Sequence, residues 1–544
     1  MARALAPLAL AAVVMLPRLA SPQFGLLDDG LTLQTGRELQ GRWAGVLDLI
    51  PETGRFFPAY WLAYSGIAVV AGARPLAFFA VNVLLLAALL AILARLVRLA
   101  GGSGLQAMLA SVLFAVCGPA VEAFYTLSKA EPLQLLWIGV ALLAAAGATA
   151  AASAGRAALL VLGVVASFLA HATKETSVVL VPISLGWLLV ARASGARATR
   201  WERFAVGSLV VSVLGAAAYA AVRWRYAALA LGDGSYTRAY ALHADTAGPA
   251  LFRIVAWLAR DFAVLLPVIA LAMISGVLRD ADRRRPLAYA LVWMLGWLAI
   301  YVPWPATFEY YLLPFALGAS AFAALVAGDA WHRRRTVSPA RRRLIDGVLA
   351  VALLLLSTGV VNAATDGRVQ LTVDRANADL VRFLGRLPPR SRIVANMTPV
   401  NEYHFELPMH LAEIAGRSDL VVERRLAPDG ARAVDGEAFV VTARLDGQPV
   451  PTVRIALHEP GVRGDNARLD AIAGGPGERV YASARRTRLL EIGWQRLLCP
   501  LAVRPLLDPT YCPAQRGVLD RRTFTYGWQV HRLGHDQAGR KRPT

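Results

Sequence analysis

The chain has 544 residues, of which 56% are hydrophobic and only 17% charged, with a formal net charge of +20. The apolar residues come in blocks of roughly 15–25, the length that crosses a hydrocarbon core of about 30 Å, which excludes an ordinary soluble enzyme. The excess of Arg sits in short loops between those blocks rather than in one patch, which argues against nucleic acid as a partner.

The N-terminal stretch MARALAPLALAAVVMLPRLASPQ has charge followed by an apolar run, as in a signal peptide or a first membrane helix. Arg18 and Pro22 make the region around Ala20 a poor cleavage site, so a retained helix is expected. Apolar blocks cover about residues 4–19, 76–97, 105–120, 133–152, 157–170, 177–191, 204–222, 262–278, 287–302, 312–330 and 345–361. They predict a polytopic α-helical membrane protein with about eleven spans. With the N-terminus inside, Arg3, Arg95, Arg98, Arg156, Arg192, Arg203, Arg279, Arg283, Arg333 and Arg343 all fall on one side, which the positive-inside rule makes cytoplasmic.

The other side receives a long loop, residues 21–75, several short loops, and everything after Asn362. The expected division is therefore a membrane domain over residues 1–361 and a soluble, extracytoplasmic α/β domain over 362–544. In the latter, SRIVANM, EAFVVTARL, PTVRIALHE and ERVYASARR read as strands and LPMHLAEIAG as a helix. Cys117 lies in an apolar block; Cys499 and Cys512 are close enough in an exported region for a disulfide, and no metal-ligand cysteine spacing is present.

Ionisable residues at membrane segments are functional candidates by default, and five outer clusters carry them. Asp28-Asp29-Gly30 follows the first block; paired carboxylates can accept a proton, share a divalent cation, or merely form a helix N-cap. No further ligand set accompanies them, so no metal residues are assigned. GRFFPAYWL places Arg55, whose planar fork of N–H groups can bind phosphate, among interfacial aromatics. EAFYTLSKAEP holds Glu122, Lys129 and Glu131, and HATKETS holds His171, Lys174 and Glu175; either set can bind an anion or close the bundle by ion pairing. WPATFEYYLLP adds Glu309, Tyr310 and Tyr311, which suit an aromatic belt as well as a site. In the soluble region Glu402, His404 and His410 can be drawn as a metal set, with a polar helix surface as the plainer reading.

Taken in order, these clusters resemble the polyprenyl-linked glycosyltransferases of GT-C fold, in particular the protein O-mannosyltransferase branch (glycosyltransferase family 39-like) and the related transmembrane-and-TPR mannosyltransferases. An acidic pair after the first helix is matched by Asp28 and Asp29, and R-x-x-P-(x)n-G-x-x-P-(x)n-N by Arg55, Pro58, Gly72, Pro75 and Asn82. PAVEAF, with Pro119, Glu122 and Ala123, is similar to the family's P-x-x-E-A, and Lys174-Glu175-Thr176 to its K-E-T. The pair reads Asp-Asp where several branches have Asp-Glu, Glu309 precedes Tyr310 where a related motif has Arg, and no TPR repeat follows.

The resemblance implies an enzyme that transfers a sugar from a polyprenyl-phosphate donor to an acceptor hydroxyl outside the cytoplasm, with inversion of configuration. Asp28 or Asp29 would be the base, and Arg55 and Lys174 would hold the leaving phosphate, supported by Glu122, Lys129, His171, Glu175, Glu309 and Tyr310. Partners would be the bilayer, the lipid-linked sugar, and a protein, glycolipid or polysaccharide acceptor, in a bacterial inner membrane. Competing classes are a lipid-linked solute transporter or flippase and a non-catalytic envelope assembly protein; the former calls for mid-membrane charges and a half-to-half repeat, whereas here the charges cluster at the outer ends of helices and no such repeat is evident.

Overall fold

The structure is a computed structural model that describes residues 2–26, 28–47, 56–127, 129–193, 199–227, 244–302, 308–396, 403–423, 437–445, 478–490 and 523–532. All eleven apolar blocks fall on helices. These are α1 (Ala2–Leu19), α4 (Pro75–Leu99), α5 (Gly104–Ala115) with α6 (Gly118–Tyr125), α7 (Ala130–Ala148), α8 (Ser153–Thr173), α9 (Leu180–Ala193), α10 (Arg200–Ala227), α11 (Ala244–Asp261) with α12 (Leu265–Ile274), α13 (Ala281–Tyr301), α14 (Leu313–Arg333) and α15 (Pro339–Leu384).

By length and hydropathy seven of the described helices can cross a membrane, or nine if α5–α6 and α11–α12, bent by 61° and 73°, each count as one span. The expected figure of about eleven exceeds this because α1 offers only the short apolar stretch Leu5–Leu19, and α13 opens on Asp282, Arg283, Arg284 and Arg285. The chain is a polytopic α-helical membrane protein.

The sequence states why these helices begin where they do. Pro75 opens α4 at a position whose N–H would have no partner, and Ser103 caps α5 in a reciprocal capping box with Gln106. One end of the bundle gathers the Arg-rich loops: Arg283 Nε lies 2.9 Å from Asp329 Oδ2, Arg333 Nη2 2.5 Å from Asp280 Oδ2, and Arg334 Nη1 2.7 Å from Asp346 Oδ1.

At the other end the loop after α1 folds into α2 (Asp29–Glu38), a 3-10 turn at Trp43–Leu47, and α3 (Pro58–Ala71). Its aromatics are core rather than an interfacial belt: Tyr60, Trp61 and Tyr64 are buried, with Tyr60 edge-on to Trp61 and tilted against Tyr64. Close approach of α2 to α3 requires Gly36, where a Cβ would meet Ser65 O at 3.0 Å.

Helix α15 runs unbroken through position 361 into a six-stranded sheet. The strands are β1 (Arg392–Asn396), β2 (Val421–Glu423), β3 (Ala438–Leu445), β4 (Glu478–Ala482), β5 (Arg485–Arg488) and β6 (Thr523–Arg532), in the order β2-β1-β3-β6-β4 with β5 also on β6. β1 pairs parallel with β2 and β3; β6 is antiparallel to β3, β4 and β5. The period-2 run Phe524, Tyr526, Trp528 and Val530 buries one face of β6 against α15, and Asn377 Oδ1 accepts from Trp528 Nε1 at 3.0 Å. Strand β6 was not among the expected strands, whereas SRIVANM, EAFVVTARL and ERVYASARR correspond to β1, β3 and β4. PTVRIALHE, Cys499 and Cys512 lie outside the described residues. α16 (Tyr403–Glu413) completes the domain, with Leu407 and Leu411 in the sheet core.

Candidate active site

The acidic pair opens α2, and its two members are used differently. Asp28 occupies the N-cap position in the left-handed region (φ 62°), a conformation that Asp tolerates better than most residues, and its side chain caps nothing. The carboxylate instead turns outward, 48% exposed, with Lys129 Nζ 3.4 Å from Oδ2. Asp29 turns inward and is buried. Its Oδ2 accepts from Gly25 N–H at 2.7 Å, and its Oδ1 is buried with no hydrogen-bond partner among the described residues. Burial pushes the Asp29 carboxyl up to about 8; the Gly25 hydrogen bond opposes this and the nearby Asp374 carboxylate adds to it. Asp29 is thus mostly neutral at pH 7.

Lys129 comes from the connection between α6 and α7. Asn82 ties that connection down, donating from Nδ2 to Phe124 O at 3.1 Å and Thr126 O at 3.2 Å, while Tyr64 OH donates to Lys129 O at 2.8 Å. The motif residues Pro58, Gly72 and Pro75 are punctuation: Pro58 and Pro75 start helices, and Gly72 (φ 63°) ends α3.

Lys174 ends α8 and is paired in a buried ion pair with Glu131. Gln134, one turn beyond Glu131 on α7, donates to Thr176 Oγ1 at 3.0 Å and Ser177 Oγ at 2.8 Å, which fixes the K-E-T connection against α7. Both lysines look onto the 3-10 turn Glu309–Leu312. Lys174 Nζ lies 3.9 Å from the Tyr311 ring centre and 5.9 Å from that of Tyr310, over which Lys129 Nζ also lies at 5.1 Å. Glu309 is bound by Arg260 Nη1 at 3.3 Å. Arg260 itself is fully buried and also meets Asp261 at 3.2 Å and Asp366 at 2.5 Å. The stretches around residues 129 and 174 therefore converge on one tyrosine turn, and Asp28 joins them through Lys129.

Other candidates lie on the elements that flank this convergence. His171 is buried one helical turn before Lys174, with Nδ1 2.7 Å from Ser167 O and its ring 5.7 Å from that of Tyr219. Glu175 opens the 3-10 turn Glu175–Val179, and Glu122 lies on α6 behind Thr126, whose hydroxyl donates to the Glu122 carbonyl at 2.7 Å. Arg55 and Glu402 lie outside the described residues. His410 faces Gly25 O at 2.9 Å, and burial pushes its imidazole down to about 3, so it is a neutral hydrogen-bonding core histidine. No group of three or more His, Cys, Asp or Glu among the described residues is placed to hold a metal ion.

Several residues around the site were not anticipated. Glu406 of α16 accepts from Gly30 N–H (2.6 Å) and Leu31 N–H (3.3 Å), so it, rather than Asp28, caps α2. Burial, with Asp28 and Asp29 nearby, pushes the Glu406 carboxyl well above the usual carboxylate range. Arg18, noted in the sequence only as spoiling a cleavage site, is buried at the end of α1 with Nη2 2.6 Å from Asp374 Oδ2. Gly25 is threaded between Asp374 Oδ1 and Asp29 Oδ2, at 3.1 and 3.6 Å from where its Cβ would stand. The signal available for Arg18 and Arg260 was a charge at the end of an apolar helix.

No protein-family model matches the chain, and no curated protein matches it. Among solved structures it is similar to ArnT from Cupriavidus metallidurans bound to undecaprenyl phosphate, at 14% identity over 98% of both chains (TM-score 0.47). The same enzyme in the apo state aligns at 12% identity over 98% of both chains (TM-score 0.48). The archaeal oligosaccharyltransferase AglB from Archaeoglobus fulgidus, in complex with an inhibitory peptide and a dolichol-phosphate, aligns at 13% identity over 77% of this chain and 64% of its own (TM-score 0.47).

Proposed function

We propose that the protein is a membrane glycosyltransferase that moves a sugar from a polyprenyl-phosphate donor to an acceptor hydroxyl, with Asp28 as the base. The observation that carries this reading is the meeting of two buried lysines over the turn at Glu309–Leu312, one of them beside the outward-facing carboxylate of Asp28. A carboxylate and cations at one site suit a reaction that removes a proton from one oxygen and builds negative charge on another.

In the proposed step the acceptor oxygen attacks the anomeric carbon as its proton passes to Asp28. The bond from that carbon to the phosphate oxygen breaks on the opposite face, which inverts the configuration. Lys174, held by Glu131 and the Tyr311 ring, meets the departing phosphate, joined by Arg55 on the strength of the sequence resemblance. Lys129 orients Asp28. Asp29 is a support rather than the base: it is buried and accepts from Gly25 N–H, whereas the Asp28 carboxylate is half exposed. The distribution of Arg supports a cytoplasmic N-terminus with the site and the sheet domain outside, in a bacterial inner membrane.

The test is release of polyprenyl phosphate from a panel of labelled polyprenyl-phosphate sugars by purified protein in detergent. Asp28→Asn is expected to lower turnover by ~10²–10⁴-fold, the usual range for general-base help. Asp29→Asn is expected to stay within about tenfold of wild type, about 1.4 kcal/mol in the barrier. Wild-type turnover in Asp28→Asn refutes the assignment of the base. Absence of release from every donor, with and without candidate acceptors, refutes the enzyme reading and favours a transport or assembly role.

A further inference from the structure

The sheet domain reaches the acidic pair through α16, whose two faces have separate tasks. Leu407 and Leu411, four residues apart, enter the sheet core, while Glu406, His410 and Glu413 lie along a second stripe at i, i+4 and i+7, roughly a third of a turn round the helix. That stripe touches α2 and its approach at three points. Glu406 receives Gly30 and Leu31 N–H, His410 is hydrogen-bonded to Gly25 O, and Glu413 Oε1 lies 3.0 Å from Arg37 Nη2 at the other end of α2. Met409 closes the gap, its Cβ standing 2.9 Å from where a Cβ on Gly30 would be.

Ordinarily an N-cap Asp satisfies the first helical amides with its own side chain. Here those amides are already taken by Glu406, 376 residues away, and Asp28 sits in the left-handed conformation with its carboxylate turned toward Lys129. We propose that Glu406 is a positioning residue: by capping α2 from the sheet domain it releases Asp28 from capping and holds its carboxylate toward Lys129. A side chain that left these amides open would loosen the first turn of α2 and free the Asp28 carboxylate from its direction toward Lys129. The catalytic part of this inference rests on the glycosyl-transfer reading; the structural part does not.

The experiment measures amide hydrogen exchange of peptides spanning residues 28–36 in the full-length protein in detergent, for wild type, Glu406→Ala, Glu406→Gln and Val530→Ala, beside polyprenyl-phosphate release. Val530 is buried in the sheet core, away from α2, and reports simple loosening of the domain. Glu406→Ala is expected to speed exchange at Gly30 and Leu31 by roughly tenfold or more, the scale of losing a hydrogen bond to a carboxyl group. Glu406→Gln, which keeps an acceptor oxygen, restores most of the protection. Val530→Ala leaves these two amides unchanged.

Turnover of Glu406→Ala is expected to fall in kcat by about tenfold or more, with donor KM within roughly twofold and recovery in Glu406→Gln. Unchanged exchange in Glu406→Ala, equal exchange in Val530→Ala, or normal kcat despite faster exchange each overturns the proposal. If wild type releases nothing from any donor, the glycosyl-transfer reading fails, and exchange alone still decides whether Glu406 holds the loop.

Discussion

Replacing Asp29 with Asn removes a titrating group from a site that favours its neutral form. Its carboxyl is buried and raised from 3.8 to about 8, so folding near neutral pH requires taking up a proton that the unfolded chain does not hold. A raised folded-state value means that the stabilisation is fully present below pH 4 and is lost as pH rises through 8. At roughly 1.4 kcal/mol per pH unit, the loss reaches about 4 kcal/mol by pH 7 and levels off above pH 8.

Asn keeps the shape and the acceptor for Gly25 N–H but does not titrate. Asp29→Asn should therefore be more stable than wild type at pH 8, and the advantage should shrink steadily toward pH 4–5. Ordering the new amide opposes part of the gain, so the expected difference at pH 8 is about 2–3 kcal/mol, an increase of several degrees in melting temperature. The assay is thermal unfolding in detergent by intrinsic fluorescence at pH 5, 6, 7, 8 and 9. Parallel melting curves for the two proteins across that range would show that Asp29 does not titrate as described. A variant less stable than wild type at pH 8 would show that the ionised carboxylate is the form the fold uses.

Two further outcomes follow from buried ion pairs. Lys174→Met leaves Glu131 buried without its cation, and should lower stability by about 3–5 kcal/mol. The double change Lys174→Met with Glu131→Leu should recover most of that stability in the melting assay and none of the polyprenyl-phosphate release, separating the fold role of the pair from its role at the phosphate. Arg18→Met should destabilise by a similar 3–5 kcal/mol by stranding Asp374, and Asp374→Asn in the same chain should relieve most of it. Equal melting temperatures for the single and double variants at either pair would show that the partner was not the cause.

What could be read from the residues was whatever is encoded over short distances. Apolar runs located the helices, and Pro58, Gly72 and Pro75 marked starts and stops that the backbone obeys. Lys129, Lys174 and Glu309 were singled out because charges at helix ends on one side of a membrane are few, and the structure brings their connections together. The partners were not legible. Glu406 meets Gly30 across 376 residues, and Arg18 meets Asp374 across 356; no periodicity carries such pairings. His410 was assigned to a polar surface or a metal set, because its i+4 relation to Glu406 looks the same on a wet helix face as on one buried under α2. β6 is different: TFTYGWQVHR alternates plainly, and its aromatic face was visible without any partner.

Helix α15 spans 46 residues without interruption, about 69 Å at 1.5 Å per residue. Its middle packs in the bundle, where Asn362 Nδ2 donates to Arg260 O at 3.2 Å; nearer its C-terminus it carries Asn377, which anchors the sheet. Such a rod transmits torsion as well as height. Adding one residue between those anchors would turn the sheet by roughly 100° and lift it by about 1.5 Å, carrying Glu406 off Gly30 although no contact in either domain had been altered. The number of residues in this rod is thus a phase setting, and the tolerance of the chain to insertions there should repeat with the helical turn rather than decline smoothly with length.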